Sequence, residues 1–412
     1  MSLANNIEFL RTLPKPVQAS GVMAYARGLR PDLRSPLTEV KGFGSNPGGL
    51  RMFNFVPANL QNPRALVVVL HGCGQNAAGY DLGAGWSTLA KHYGFALLMP
   101  EQPASNNPNT CFNWFNPEDV ARERGEAGSI RQMISRMATD YAIDPRWIFI
   151  TGLSAGGAMT TVMLATYPEV FAAGAVIAGL PYGVASNVRE ALTGMRGALR
   201  VRSAPELGDL VRKASNHRGK WPKLSVWHGS ADRTVNPANA NEIVKQWLDL
   251  HGLPLEPMSE GMVDGHPRQV WWDHDGETLV ESYTITDMAH GTPLGVAEND
   301  KRYGAQGMFL IEAGISSSYH IAKFFGLTGW VRKPTAAKLA VTDSPSAKLI
   351  PTVSPIPAIL PELAKVLRPL VAPVAQPEPR PAPKPRRVID VSAVITRALK
   401  VAGLVKSPDD EL

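Results

Sequence analysis

Residues 64–70 form an apolar run, Arg64-Ala65-Leu66-Val67-Val68-Val69-Leu70, without polar alternation, which predicts a strand buried on both faces. Before it, residues 50–57 read as a strand ended by Pro57. A helical segment follows at 86–93, then a strand at 95–100, a helix at 126–141 and a strand at 147–150. A further helix begins near Gly157 and runs to Tyr167, with strands at 173–178 and 224–228 beyond it. Strand–helix alternation with β-branched apolar strands predicts the α/β class: a mostly parallel sheet with helices on both faces.

Three stretches break that rhythm. Residues 181–222 contain glycines, several arginines and a helix predicted at 205–214, and they read as a cap-like insertion. Residues 268–287 read as a hairpin, with strands at 269–272 and 280–285 around a turn at 273–277. From residue 331 the tail holds 14 of the 35 prolines, and it reads as a disordered extension. Within it, 361–367 and 390–405 have the pattern of short helices, the second amphipathic. Residues 1–34 form an N-terminal extension with a short helix at 23–28, and 35–330 make the main domain.

Charge follows these divisions. The net +6 lies in the tail, which has 13 Lys or Arg against 7 Asp or Glu, leaving 29 of each sign in residues 1–330. A neutral main domain gives no support to nucleic-acid binding. No run of eighteen or more apolar residues occurs, so no transmembrane segment is expected. The first residues lack a basic start followed by an apolar core, which leads to an expectation of a cytoplasmic protein. Cys73 and Cys111 are the two cysteines, too few for a disulfide scaffold and without metal-ligand spacing. They read either as reduced packed thiols or as a single bridge. Neither a metal nor a cofactor is expected.

Chemistry concentrates at Gly152-Leu153-Ser154-Ala155-Gly156, placed between a buried strand and a helix. That context suits a nucleophile elbow: a sharp turn exposes the serine, and the helix N-terminus favours developing negative charge. A serine nucleophile needs a base, and the base needs a carboxylate to orient it, in chain order Ser, Asp, His. Asp232, in His228-Gly229-Ser230-Ala231-Asp232, follows a predicted strand. His290, in Met288-Ala289-His290-Gly291, follows another. His320 falls in a helix, His228 reads as strand-end packing and His274 as a turn residue, while His217, His251 and His266 read as exposed-loop residues. The amide of Ala155 is the first expected oxyanion donor, and the second is expected from the loop His71-Gly72-Cys73-Gly74-Gln75-Asn76.

Together with Cys111-Phe112-Asn113-Trp114-Phe115, these stretches resemble the esterase family of short-chain polyhydroxyalkanoate depolymerases, over about 50–325. The resemblance implies the α/β-hydrolase fold, a Ser154–Asp232–His290 triad and the Cys73 amide as second oxyanion donor. It also implies a Cys73–Cys111 bridge in an exported member, with reduced thiols as the alternative in a cytoplasmic one. Trp114 and Gln75 are its substrate-contact candidates, Trp114 as a pocket wall or simply as core. Many members of this family are extracellular, which is the alternative location.

The leading expectation is therefore a serine esterase acting on poly- or oligo(3-hydroxyalkanoate). Alternatives are a feruloyl or acetylxylan esterase, a general short-chain carboxylesterase and, remotely, a non-catalytic hydrolase-fold binding protein. The expected partner is an ester substrate, polymer or oligomer. The amphipathic, basic tail adds either a tether to a hydrophobic granule surface or a plain solvated extension.

Overall fold

The computed structural model describes residues 35–330 apart from 63, 198 and 199. The helix expected at 23–28, the rest of the N-terminal extension and the tail with its segments at 361–367 and 390–405 lie outside the described residues.

Among the described residues, ten strands form the main sheet. They are β1 (Thr38–Val40), β2 (Arg51–Phe55), β3 (Leu66–Leu70), β4 (Ala96–Glu101), β5 (Ile148–Leu153), β6 (Ala173–Ile177), β7 (Lys223–Gly229), β8 (Ser259–Val263), β9 (His266–Trp272) and β10 (Thr278–Ile285). Their spatial order is β1-β2-β4-β3-β5-β6-β7-β10-β9-β8. From β4 to β10 every pairing is parallel, and antiparallel strands flank that centre on both sides.

Alternation along β3 shows why both faces must be covered. Leu66, Val68 and Leu70 enter one core with Met133 of helix Gly125–Tyr141, Met159 of helix Ala155–Thr166 and Trp247 of helix Ala238–His251. Val67 and Val69 enter the other, with Tyr80 of helix Ala77–Ala84, Leu89 of helix Trp86–Tyr93 and Ile321 of helix Ser317–Phe324. A strand with no solvent face reads as continuous apolar sequence, and β3 is wholly buried.

Parallel strands present their C-terminal ends to one edge, where ligand sites of such sheets collect. Register sharpens this. Leu70 pairs with Gly152, Leu153 with Ile177, Ile177 with Trp227, and Ile285 with Gly229. The loops after β3, β5, β7 and β10 therefore leave the sheet at nearly one level.

Several expectations shift. The helix after Ser154 starts at Ala155, not near Gly157, because β5 runs to Leu153 and the whole reversal falls on one residue. Helix Ala77–Ala84 is additional; its glycines obscure the period, and a Cβ on Gly83 would collide with Leu310. Strand β8 is additional too, an exposed edge without apolar alternation. His266 is buried inside β9, where its ring contacts the Ala313 carbonyl at 2.7 Å. Pro267 masks the start of that strand. His251 ends helix Ala238–His251 and is half-buried.

Residues 181–222 form two helices, Val188–Met195 and Ala204–Arg212. Both are fastened to helix Ala238–His251. Gln246 donates to the Tyr182 and Leu207 carbonyls, and Asn239 donates to Gly194. The insertion is thus packed as a flanking layer on the helix that follows the Asp232 loop.

Candidate active site

Ser154 stands between β5 and its helix at φ 57°, ψ −117°, a region that costs a non-glycine residue on the order of 1–3 kcal/mol. Its amide donates to the Ile177 carbonyl at 2.9 Å, and its own carbonyl accepts from Ala158 at 2.8 Å, so the turn is tied at both ends. Close approach explains the neighbouring glycines. A Cβ on Gly152 would lie 2.3 Å from the Gly156 carbonyl oxygen, and one on Gly156 would lie 2.5 Å from the carbonyl oxygens of both Leu70 and His71. The helix N-terminus is thereby pressed against the end of β3.

Asp232 sits on the loop after β7 and His290 on the loop after β10. The two loops are stitched together: Ala231 donates to the Met288 carbonyl at 3.1 Å, and Asp287 donates to the Ser230 hydroxyl at 2.9 Å. His290 Nδ1 donates to Asp232 Oδ2 at 2.7 Å, with the two residues only 7% and 5% exposed. A carboxylate only accepts, so the proton is on Nδ1 and Nε2 carries the lone pair. Asp232 Oδ1 accepts the amides of Thr234 and Val235 at 2.8 and 2.9 Å. Burial alone would raise this carboxyl. Hydrogen bonds from His228 and His290 instead hold it well below the usual carboxylate range.

His228 is more than strand-end packing. Its Nε2 lies 2.9 Å from the Val235 carbonyl and 3.2 Å from Asp232 Oδ2; both neighbours are acceptors, so Nε2 carries the proton. Asp232 Oδ2 is therefore shared by two imidazoles. The four-residue spacing from His228 to Asp232 across a strand end was the available signal. His320 is a packed helix residue bonded to Asp264 at 2.9 Å, and His274 is exposed in its turn.

The loop after β3 is braced from several sides. Cys73 is disulfide-bonded to Cys111. Gly74 donates to the Asn109 carbonyl at 2.8 Å and to the Thr110 hydroxyl at 3.1 Å. Under the loop, His71 Nε2 accepts the Gln102 amide at 3.1 Å, which leaves Nδ1 to donate to the Gly72 carbonyl at 2.8 Å. Burial drives His71 down to about 4, so it is neutral in neutral solution. Among the described residues, the Cys73 and Ala155 amides donate to no backbone carbonyl.

Glu126 supports the disulfide segment from below. Its carboxylate accepts the amide and side chain of Asn113 at 2.9 and 2.8 Å and the side chain of Gln102 at 2.5 Å. Burial, seconded by the charge of Asp119, pushes Glu126 up to about 8, against the three hydrogen bonds.

Trp114 is 8% exposed, packed in the core edge-on to Phe115. The side chain of Gln75 is bonded at both ends within the protein, to Gly72 and Met308. Phe309, not foreseen, stands edge-on to His290 with ring centroids 5.7 Å apart. It lies outside every motif, in a loop leading to the short strand Leu310–Glu312, so only the fold reveals it.

The family model that matches residues 52–256 is described as Esterase PHB depolymerase. The chain is 46% identical over 294 residues to poly(3-hydroxyalkanoate) depolymerase C of Paucimonas lemoignei, spanning 71% of this chain and 70% of that one. It is 33% identical over 263 residues to an acetylxylan esterase of Coprinopsis cinerea, spanning 62% and 69% of the two chains. Among solved structures, the acetyl xylan esterase from Aspergillus awamori is similar with a TM-score of 0.60 and 25% identity, covering 71% of this chain and 99% of that one.

Proposed function

This chain belongs to the Esterase PHB depolymerase family and is a carboxylic ester hydrolase; from that premise we propose that Ser154, His290 and Asp232 form its triad and that short-chain poly- or oligo(3-hydroxyalkanoate) is its substrate. The observation that carries the triad is the buried bond from His290 to Asp232, at the sheet edge where Ser154 occupies its strained turn. The 46% identity to a poly(3-hydroxyalkanoate) depolymerase supports the substrate class.

His290 Nε2 takes the proton of Ser154 as Oγ attacks the ester carbonyl. Negative charge gathers on the former carbonyl oxygen, which receives the Cys73 and Ala155 amides. The imidazolium then protonates the departing alcohol oxygen, leaving the acyl group on Ser154. Water, deprotonated by His290, attacks the acyl-enzyme, and the proton returns to Ser154 as the acid departs. Asp232 holds the imidazole in the Nδ1–H tautomer and offsets its positive charge.

A second reading, an esterase for acetyl or feruloyl groups, is favoured by the acetylxylan esterase relatives. A panel of 3-hydroxybutyrate oligomers, acetylated xylan and methyl ferulate, assayed on one preparation, separates the two. Preference for the oligomers is expected, and a clear preference for either plant ester would reverse the assignment.

Disulfides persist in oxidising compartments, so the Cys73–Cys111 bond favours the extracellular alternative over the cytoplasmic expectation. Fractionation of producing cells tests it; retention in the cytoplasm would contradict it. The basic tail with its amphipathic pattern serves as a tether to a hydrophobic polymer surface. Equal co-sedimentation with polymer granules by the full chain and a chain ending at residue 330 would refute that role.

A further inference from the structure

Gln75 joins three segments that are distant in sequence. Its Oε1 accepts the Gly72 amide at 2.9 Å, and its Nε2 donates to the Met308 carbonyl at 2.9 Å. Its own carbonyl accepts the Thr110 hydroxyl at 3.1 Å. Each partner directly precedes a residue that shapes the site. Gly72 precedes Cys73, the second oxyanion donor. Thr110 precedes Cys111, the disulfide partner of Cys73. Met308 precedes Phe309, whose ring stands against His290 and whose carbonyl accepts the Thr292 amide at 2.8 Å, two residues past that histidine.

Two of these neighbours are held in unfavourable backbone. Phe309 has φ 61° and Thr110 has φ 50°, left-handed values that an aromatic and a β-branched residue adopt only when their surroundings impose them. The bonds to Gln75 fall beside both. A carboxamide engaged at each end by backbone acts as a strut of set length, not as a group waiting for substrate.

We propose that Gln75 is a positioning residue: its carboxamide sets the spacing between the Cys73 amide and the His290 side of the site. The proposal rests on the serine-esterase reading above, which makes Cys73 an oxyanion donor and His290 the base. With the strut in place, one tetrahedral centre on Ser154 meets both groups at once. Without it, the ester still binds, but the donor and the imidazole are no longer matched to the same transition state. Interactions that strengthen only in the transition state govern kcat, not KM.

Gln75→Glu and Gln75→Met in the full chain test the proposal. Glutamate keeps an acceptor for the Gly72 amide but turns a carboxylate towards the Met308 carbonyl; methionine, of similar shape, removes both bonds. Rates on p-nitrophenyl butyrate, referred to sites titrated with diethyl p-nitrophenyl phosphate, should show kcat reduced roughly tenfold to a hundredfold with KM little changed. Inhibition by phenylboronic acid, which forms a tetrahedral serine adduct, should weaken in parallel. A raised KM with kcat preserved would overturn the proposal by making Gln75 a substrate contact, and wild-type kcat in either folded variant would overturn it outright. Should one variant fail to fold, the other decides. Ser154→Ala, run alongside, separates the two levels: its retaining wild-type activity would refute the serine-esterase reading, whereas an inert Ser154→Ala beside fully active Gln75 variants refutes the strut alone.

Discussion

His290 Nδ1 lies 2.7 Å from Asp232 Oδ2, and the same oxygen lies 3.2 Å from His228 Nε2. Asparagine at 232 satisfies neither imidazole if its carbonyl keeps the Thr234 and Val235 amides, because its NH2 then faces two N–H donors. Asp232→Asn is expected to lower kcat by about 10⁴-fold through the wrong imidazole tautomer, with the protein still folded. Steady-state rates on p-nitrophenyl butyrate check this. A loss of less than tenfold would remove Asp232 from the triad.

Steric contact at the elbow makes a separate prediction. A methyl group on Gly156 would press on the Leu70 and His71 carbonyls, the root of the loop after β3. Gly156→Ala should cost about 1–3 kcal/mol of stability and depress kcat as well. Urea unfolding and turnover measured on one sample test both effects; an unchanged variant would show that helix and strand are not pressed together here.

The α/β architecture was legible because strands buried on both faces must be apolar throughout, as in β3. Ser154, Asp232 and His290 were singled out because each follows a predicted strand. Gln75 was noticed as a substrate-contact candidate, and sequence cannot show that its side chain bonds the backbone of Met308, 233 residues away. The Phe309 contact with His290 depends on loops meeting in space, whereas the sharing of Asp232 by His228 had only its four-residue spacing as a signal. Helix Ala77–Ala84 was missed because Gly83, which admits Leu310, dilutes the helical pattern.

The disulfide spans 38 residues of sequence, and closing such a loop contributes about 4 kcal/mol through the unfolded chain. Reduction with dithiothreitol, or Cys111→Ser, should lower the urea midpoint and slow turnover, since Cys73 loses its anchor. Stability and kcat both unaffected by reduction would contradict the bracing role.

His71 makes stability depend on pH. Its folded value of about 4 lies below the ordinary 6.5, so the unfolded chain takes up the proton first as pH falls. The contribution is fully present above about pH 6.5 and is lost progressively down to about pH 4, amounting to about 3 kcal/mol. Urea midpoints at the two ends of this window should differ less in His71→Gln than in the unsubstituted protein. An equal acid loss in both would exclude His71 as its source.

The most direct measurement is covalent. A fluorophosphonate probe reacts with an activated serine, and digestion followed by mass spectrometry locates the adduct. Modification of Ser154 is expected, with p-nitrophenyl butyrate hydrolysis lost in proportion to labelling and absent in Ser154→Ala. An adduct on another residue, or near-full hydrolysis by Ser154→Ala, would contradict the assignment of Ser154 as the nucleophile.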